Sequence, residues 1–503
     1  MKVFEKEEIS KKQGITLIAL VVTILILLIL ASVTINLLFG DNGIIKKANE
    51  AKGKTESESL KESQELESSS QAIDSIVNNG KNLKWLINNK MVVSSENYEY
   101  YNNQYNGIKI GTSFLTYNLN TKEIYKPRDA TISTSQYGLA LLSAYKTIND
   151  SAYLNKAIEI GNATIDKKVF TQQILHKTGE NGTEFKFIAA RTSEKSDSSD
   201  WTYDSGSYSY SIDSLLMCKF LIELSNATGD DAYANIALNV TDAWILAQDK
   251  IGSGALPTYY YYMTEADAGT GYEGMHFLKK EYPLDIAYSV YLGGMAAYNY
   301  TENTKYKDFV DKYFNFMNNA FKNNNATFTF TKDSKQYTLP YEYIAKDSNG
   351  NYIGMNQKNQ DPFDNNISND ITTDQLFYIT LGLASYDRNS EYVKSFYNSI
   401  NALEFENGKF WGEYTKSGNK GIFEETMPEV IDSAFYIRLI NMLEDNPSKV
   451  ENVKNMLNGI KKESSDPNVD GAWTWDINED GYIIETEAVA VLIQQLYTIG
   501  MIE

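Results

Sequence analysis

Acidic residues recur at one place in a repeating pattern: Asp213 in SYSIDSLL, Asp285 in YPLDIAYS, Asp374 in ITTDQLFY, Asp432 in PEVIDSAF and Glu485 in YIIETEAV each open an apolar helical run, and Gln136 in STSQYGLA takes that place once. Carboxyls perform general acid and base work when their surroundings push their proton affinities apart. Hydrolysis of a glycosidic bond needs two of them, one on either side of the bond. Two further acids, Asp204 and Glu425, sit in loop clusters. The segments DWTYDSGSYSYS, GYEGMHFLKKEYP, KFWGEY and GAWTWDINEDGY set Trp201, Tyr203, His276, Tyr282, Trp411, Trp473 and Trp475 beside acids. Flat rings with polar edges suit sugars, and the same rings also fill cores. Tyr203, Tyr282 or His276 would serve as the acid or base of a lyase. Acids are also favoured at helix N-termini as caps and by the helix dipole, so the helix-opening positions have an ordinary reading too. No local spacing singles out a catalytic pair.

A second constellation is Asp476, Asn478, Asp480, Gly481, Tyr482 and Glu487. D-x-N-x-D-G followed five residues later by Glu is the pattern of an EF-hand calcium loop, in which alternate oxygens surround the ion, Tyr482 offers its carbonyl and Glu487 closes the shell. Two features stand against it: WTW is not an obvious entering helix, and Ile484 replaces the usual polar ninth residue. Upstream, DPNVDG has the same opening without the closing acid. Calcium is the one cofactor the sequence suggests.

The elements that must position these residues are helical hairpins. In ITTDQLFYITLGLASYDRNSEYVKSFYNSIN, apolar residues recur at helical spacing, break at Asp387 to Ser390 and resume. The same seam returns as NDSAYLNKA, GDDAYANIA, ENTKYKDFV, RNSEYVKSF and DNPSKVENV, where Tyr153, Tyr233, Tyr306, Tyr392 and Val450 follow the turn. Five hairpins, a helix within residues 71–89 and one within 485–499 make twelve helices. They close a six-hairpin ring if the first and last pair. Segments beginning at Phe170, Ala326 and Gly408 alternate in the manner of short strands about Gly or Asn turns, and loops on a rigid ring are where binding concentrates. The expected fold is mainly α: an (α/α)6 toroid with short β-hairpin insertions over residues 71–503.

Residues 15–39 run ITLIALVVTILILLILASVTINLLF without a charge, roughly 37 Å of helix and enough to span a bilayer. Residues 40–70 are Glu-, Lys- and Ser-rich, the composition of a solvated stalk. Lys11, Lys12, Gln13 and Gly14 followed by ITLIALVV resemble the leader of type IV pilins and pseudopilins. The resemblance covers residues 1–50. It implies that residues 1–14 are a leader, that a prepilin peptidase cuts after Gly14 and methylates Ile15, and that the apolar helix remains as a membrane anchor with other pilins as partners. Ala19 stands where the family has the Glu that pairs with a neighbour's terminal amine, so the filament's usual electrostatic register is missing.

Composition narrows the rest. A formal charge of -20 over 503 residues excludes nucleic acid as a partner, because its phosphates would be repelled. The single cysteine, Cys218, allows no intrachain disulfide, and two histidines cannot complete a three-histidine zinc site. The ring of hairpins with acidic and aromatic loops is similar to the (α/α)6 toroids of six-hairpin glycosidases and related polysaccharide lyases and epimerases. That likeness implies a polysaccharide-processing domain, most plausibly a hydrolase, held at the cell surface. The alternative is a minor pilin or adhesin that binds glycan or protein without chemistry.

Overall fold

The computed structural model describes residues 24, 81–125, 127–174, 183–194, 201–203, 208–263, 274–277, 281–323, 326–346, 352–357, 367–368, 370–416, 422–424, 427–444, 446–477 and 481–497. The leader with Gly14 and Ile15, the stalk and, apart from Ile24, the segment 15–39 lie outside these residues. Among the described residues no helix is long and apolar enough to cross a membrane.

From Asn79 onward the chain is one compact unit. It begins with the helices α1 (Lys81–Asn88) and α2 (Tyr98–Asn102). Five hairpins follow: α3 (Thr131–Ile148) with α4 (Ser151–Lys167), α5 (Ser211–Thr228) with α6 (Asp231–Ile251), α7 (Ala287–Thr301) with α8 (Thr304–Asn323), α9 (Thr373–Asp387) with α10 (Glu391–Leu403), and α11 (Val430–Leu443) with α12 (Pro447–Ile460). Helix α13 (Thr486–Tyr497) ends the described chain.

The first helix of each hairpin packs on the first helix of the next, in the order α3, α5, α7, α9, α11, α13, and α13 packs back on α3. This closes the inner ring. The second helices form an outer layer against their own partners, while α1 lies on α3, α4 and α13. The layers differ as their environments require. Inner helices such as α5 and α11 are apolar around most of their circumference, because they touch neighbours on every side. Outer helices such as α8 bury one stripe, here Tyr306, Phe309, Val310, Tyr313 and Phe314.

Tight turns join the layers. Asn149 (φ 54°), Gly229 (φ 75°) and Glu302 (φ 56°) adopt the left-handed conformation that ends a helix, and each backbone N–H returns to a carbonyl of the last turn. Asp150, Asp230, Ser390 and Asn446 then cap the outer helices with their side chains. Where the ring is tightest, a side chain is excluded. A Cβ on Gly382 would lie 2.4 Å from the Ala287 carbonyl carbon, and one on Gly293 would lie 2.5 Å from the Leu215 oxygen.

Most inner helices issue directly from a strand. Asp129–Ala130, Ser209–Tyr210, Glu281–Pro283, Asp370–Thr372 and Ile483–Glu485 each belong to a small sheet, and Glu429 forms a bridge with Asp476 before α11. The predicted hairpin insertions supply partners to these sheets, including Val169–Ile174 with Thr183–Ile188, Tyr343–Lys346 with Tyr352–Gln357, and Glu413–Lys416 with Ile422–Glu424. In the hairpin Thr327–Lys332 with Lys335–Pro340, Asp333 and Ser334 both take positive φ, as a two-residue turn demands.

Candidate functional site

The strand-to-helix junctions gather at one end of the ring. A cavity of about 240 Å³ is lined there by Asp213, Asp285, Asp374, Glu485 and Glu487, with Arg128, Arg191, Tyr210, Gln375 and Tyr378 among its other walls. Each acid stands at or just before the start of a different inner helix, except that Glu485, the last residue of its strand, and Glu487 both belong to the entry of α13. Asp432 lies fully buried in the first turn of α11, outside the lining, and the charges of Glu429 and Asp374 bear on it.

Asp213, Asp285, Asp374 and Asp432 do not occupy the N-cap positions of their helices. The cap positions Ala130, Tyr210, Ile286, Thr372 and Glu429 make no side-chain capping bond, unlike those of the outer helices. Asp374 does lean on first-turn N–H groups, and Asp285 on those of its own residue and Ile286. Even so, Asp285 Oδ1, Asp374 Oδ1 and both carboxyl oxygens of Asp432 are buried without a partner.

Withdrawal from water disfavours the charged form of each group, and neighbouring carboxylates add to the effect. Burial first, then Glu413, raises Asp374 to about 6 against the pull of its backbone N–H bonds. Burial raises Asp213 to about 7 although Lys168 and Arg191 oppose it, and raises Asp285 to about 7. Glu485 rises to about 8, again by burial and then by Asp374, with Arg128 opposing. Burial drives Asp432, Glu429 and Glu487 upward too, reinforced by acids that face them. Asp374 is the common neighbour: its charge acts on Asp285, Glu429, Asp432, Glu485 and Glu487.

Below the acids the lumen is filled. Gln136 Nε2 donates to the Tyr378 hydroxyl at 3.3 Å, which donates to Glu487 Oε1 at 3.4 Å. Gln494 Nε2 donates to Gln136 Oε1 at 3.1 Å, and the Tyr288 ring lies edge-on to Tyr378 at 6.0 Å. The cavity is therefore a bowl rather than a channel.

The aromatic residues fall elsewhere. Trp201 is fully buried among Val93, Tyr101, Ile108 and Phe114, so it is a core side chain and not a sugar platform. Trp473 is likewise buried, with its indole N–H donating to the Leu457 carbonyl at 2.8 Å. Tyr282 packs inside against Phe316 at 5.9 Å. In these three the apolar area of the ring outweighed its polar edge. Trp411 stacks on the exposed Phe405 at 5.1 Å, outside the bowl's lining. Trp475 is half-buried and hydrogen-bonds the Glu429 carboxyl. His276 is half-buried on a strand beside Tyr261, also away from the lining. The backbone of Tyr203 is in the strand Trp201–Tyr203. Its side chain, Asp204 and Glu425 lie outside the described residues.

Of the calcium pattern, Asn478 and Asp480 also lie outside the described residues. Glu487, its closing acid, faces the bowl and accepts from Tyr378; Asp476 bridges to Glu429, and Tyr482 is exposed. Among the described residues no group of three or more His, Cys, Asp or Glu side chains is placed to hold a metal ion.

Arg128, Arg191, Tyr378 and Glu429 were not singled out in the sequence. Arg128 and Glu429 do carry a local signal: like Asp285 and Glu485, they lie within three residues before the start of an inner helix. Arg191 enters through strand pairing, since Asp129–Ala130 pairs with it and Thr192. No spacing could reveal that.

No family model and no curated protein matches the chain. Solved structures do. The chain is similar to the cellobiose 2-epimerase of Spirochaeta thermophila DSM 6192, at 11% identity over 80% of this chain and 93% of the other, with a TM-score of 0.53. It is similar to a D-mannose isomerase, at 12% identity over 81% and 97%, with a TM-score of 0.53. It also resembles the unsaturated glucuronyl hydrolase of Bacillus sp. GL1, described as responsible for the degradation of glycosaminoglycan, at 12% identity over 86% and 97%, with a TM-score of 0.51. At such identities the likeness is one of fold: the described domain is built, like these structures, as an (α/α)6 toroid.

Proposed function

We propose that the toroid is a glycoside hydrolase acting at the acid-lined bowl. The observation that carries this reading is the convergence of carboxyls from separate inner helices on one concave site, with buried oxygens of Asp285 and Asp374 left without partners. A buried carboxyl oxygen in a structural role is hydrogen-bonded or ion-paired; one left without a partner points to a role in chemistry. Glu485, raised to about 8, holds its proton at neutral pH and is the general acid, donating to the glycosidic oxygen as the C–O bond breaks. Asp374, raised only to about 6, is ionised there and is the base that takes a proton from the attacking water. Arg128 and Arg191 oppose the upward shifts of Glu485 and Asp213 and offer donors to sugar hydroxyls. Sugar-acting proteins among the similar folds support the choice of substrate class.

The domain is held outside the cell by the apolar segment 15–39 after removal of residues 1–14, a reading supported by the pilin-like run from Lys11. A non-catalytic glycan binder is the second reading. It is favoured by the small bowl and by the absence of Trp201, Trp473 and Tyr282 from its walls. Incubating the full chain with a panel of oligosaccharides and measuring new reducing ends separates the two. Hydrolysis predicts release that falls about 10²-fold or more in Asp374→Asn and Glu485→Gln; binding without release across the panel supports the second.

A further inference from the structure

The ring contains a second cavity, on the far side of the Gln136 and Tyr378 plug, of about 160 Å³. Its walls come from later turns of the inner helices, at the end away from the acids, and its charges have the opposite sign. Arg438 on α11 borders it, half-buried, with its guanidinium 4.9 Å over the Tyr288 face. No carboxylate stands among the groups that act on Arg438. Lys146 on α3 and Lys219 on α5 also line the cavity, and they share a single acid: Lys146 Nζ lies 2.7 Å from Glu223 Oε2, and Lys219 Nζ lies 2.8 Å from Glu223 Oε1.

Three cations therefore face one anion, leaving a net charge of two positive units around a small concave space in a chain whose formal charge is -20. A guanidinium without an acid partner in a concave, cation-rich site attracts an anion. A cavity of about 150 Å³ accepts a molecule of roughly benzene's size, which sets the scale of the occupant. The planar guanidinium fork suits two oxygens of one oxyanion, and the lysines supply charge near the edge. We propose that this cavity is a binding site for a small oxyanion, a phosphate or a carboxylate, held by Arg438 from within and by Lys146 and Lys219 at its rim. Gln136 borders the cavity and donates to Tyr378, so the anion sits one hydrogen-bonded link from the acid bowl. The proposal does not depend on the bowl being catalytic.

The test is calorimetric titration of the full chain, solubilised in detergent, with sodium phosphate and separately with sodium acetate, against sodium chloride at matched ionic strength. Saturable one-to-one binding of either oxyanion is expected, with a melting temperature that climbs as its concentration rises. Binding of one and not the other assigns the class. Arg438→Gln should weaken the affinity roughly tenfold or more, the loss of a charged hydrogen-bond donor. Because Arg438 also packs on Tyr288, Lys219→Gln is the companion variant: at the partly exposed rim it leaves the core intact and should weaken binding several-fold. Absence of saturable binding for both anions up to about 10 mM, a millimolar ceiling on affinity, overturns the proposal. So does binding that is unchanged in Lys219→Gln and in a folded Arg438→Gln.

Discussion

The Tyr378 hydroxyl donates to Glu487 Oε1 at 3.4 Å, joining α9 to α13 across the lumen, and accepts from Gln136 on α3 on its other side. This link forms the floor of the bowl and separates the acids above from the cations below. Its neighbour Tyr288 has a buried hydroxyl with no partner, so the two tyrosines form a natural contrast.

Tyr378→Phe should destabilise the fold by about 1–3 kcal/mol, because it strands a buried carboxyl and a buried amide. Tyr288→Phe removes a hydroxyl that bonds to nothing and should be neutral or slightly stabilising. Denaturant unfolding of both variants checks the pair, and equal losses would show that the hydrogen bonds are unimportant.

The raised acids make stability depend on pH in a defined direction. Their folded pKa values exceed the ordinary carboxylate values near 4, so the folded state holds protons that the unfolded chain releases. That contribution is complete below pH about 4 and fades as pH climbs through about 6 for Asp374, about 7 for Asp213 and Asp285 and about 8 for Glu485. Melting temperature should fall across this window. Asp432→Asn should recover stability at pH 8 and nothing at pH 4.

Much of this architecture is legible in the sequence because it rests on short-range rules. The seams at Asn149, Gly229 and Glu302 mark the turns, and apolar periodicity marks which helices are enclosed on all sides. Asp213, Asp285, Asp374 and Glu485 stand out because each occupies an equivalent place at the start of an inner helix, and a closed ring must bring equivalent places together. The aromatic residues fail as guides because a tryptophan beside an acid looks the same whether it stacks on a sugar or, like Trp201, fills a core. Arg191 and Tyr378 reach the bowl through strand pairing and through a side chain spanning the lumen, which are relations between distant segments.

Lys168 and Asp129 form a buried ion pair at 2.8 Å, with Lys168 fully enclosed and pulled downward by burial. Lys168→Met alone should cost about 3–5 kcal/mol, because it leaves Asp129 buried without its cation. Removing both charges in Lys168→Met with Asp129→Leu should cost much less. Unfolding free energies of the two single variants and the double variant measure the coupling, and simple additivity would contradict it.

Gly382→Ala should destabilise by about 1–3 kcal/mol or more, since its new Cβ meets the backbone of Ala287 and Tyr288, which cannot turn aside as a side chain would. Gly229→Ala meets open space and suffers only from its positive φ, at about 1 kcal/mol. Thermal melts of the two variants rank packing against backbone conformation in this ring.

The claim on which the site depends is that acids from separate helices crowd together at one end of the ring, so that the most buried of them keep protons at neutral pH. Infrared difference spectroscopy of the wild type against Asp432→Asn and Glu487→Gln at pH 7 examines it directly. Loss of a protonated-carboxyl C=O stretch in each variant is the predicted result. Difference spectra containing only ionised carboxylate bands would contradict it.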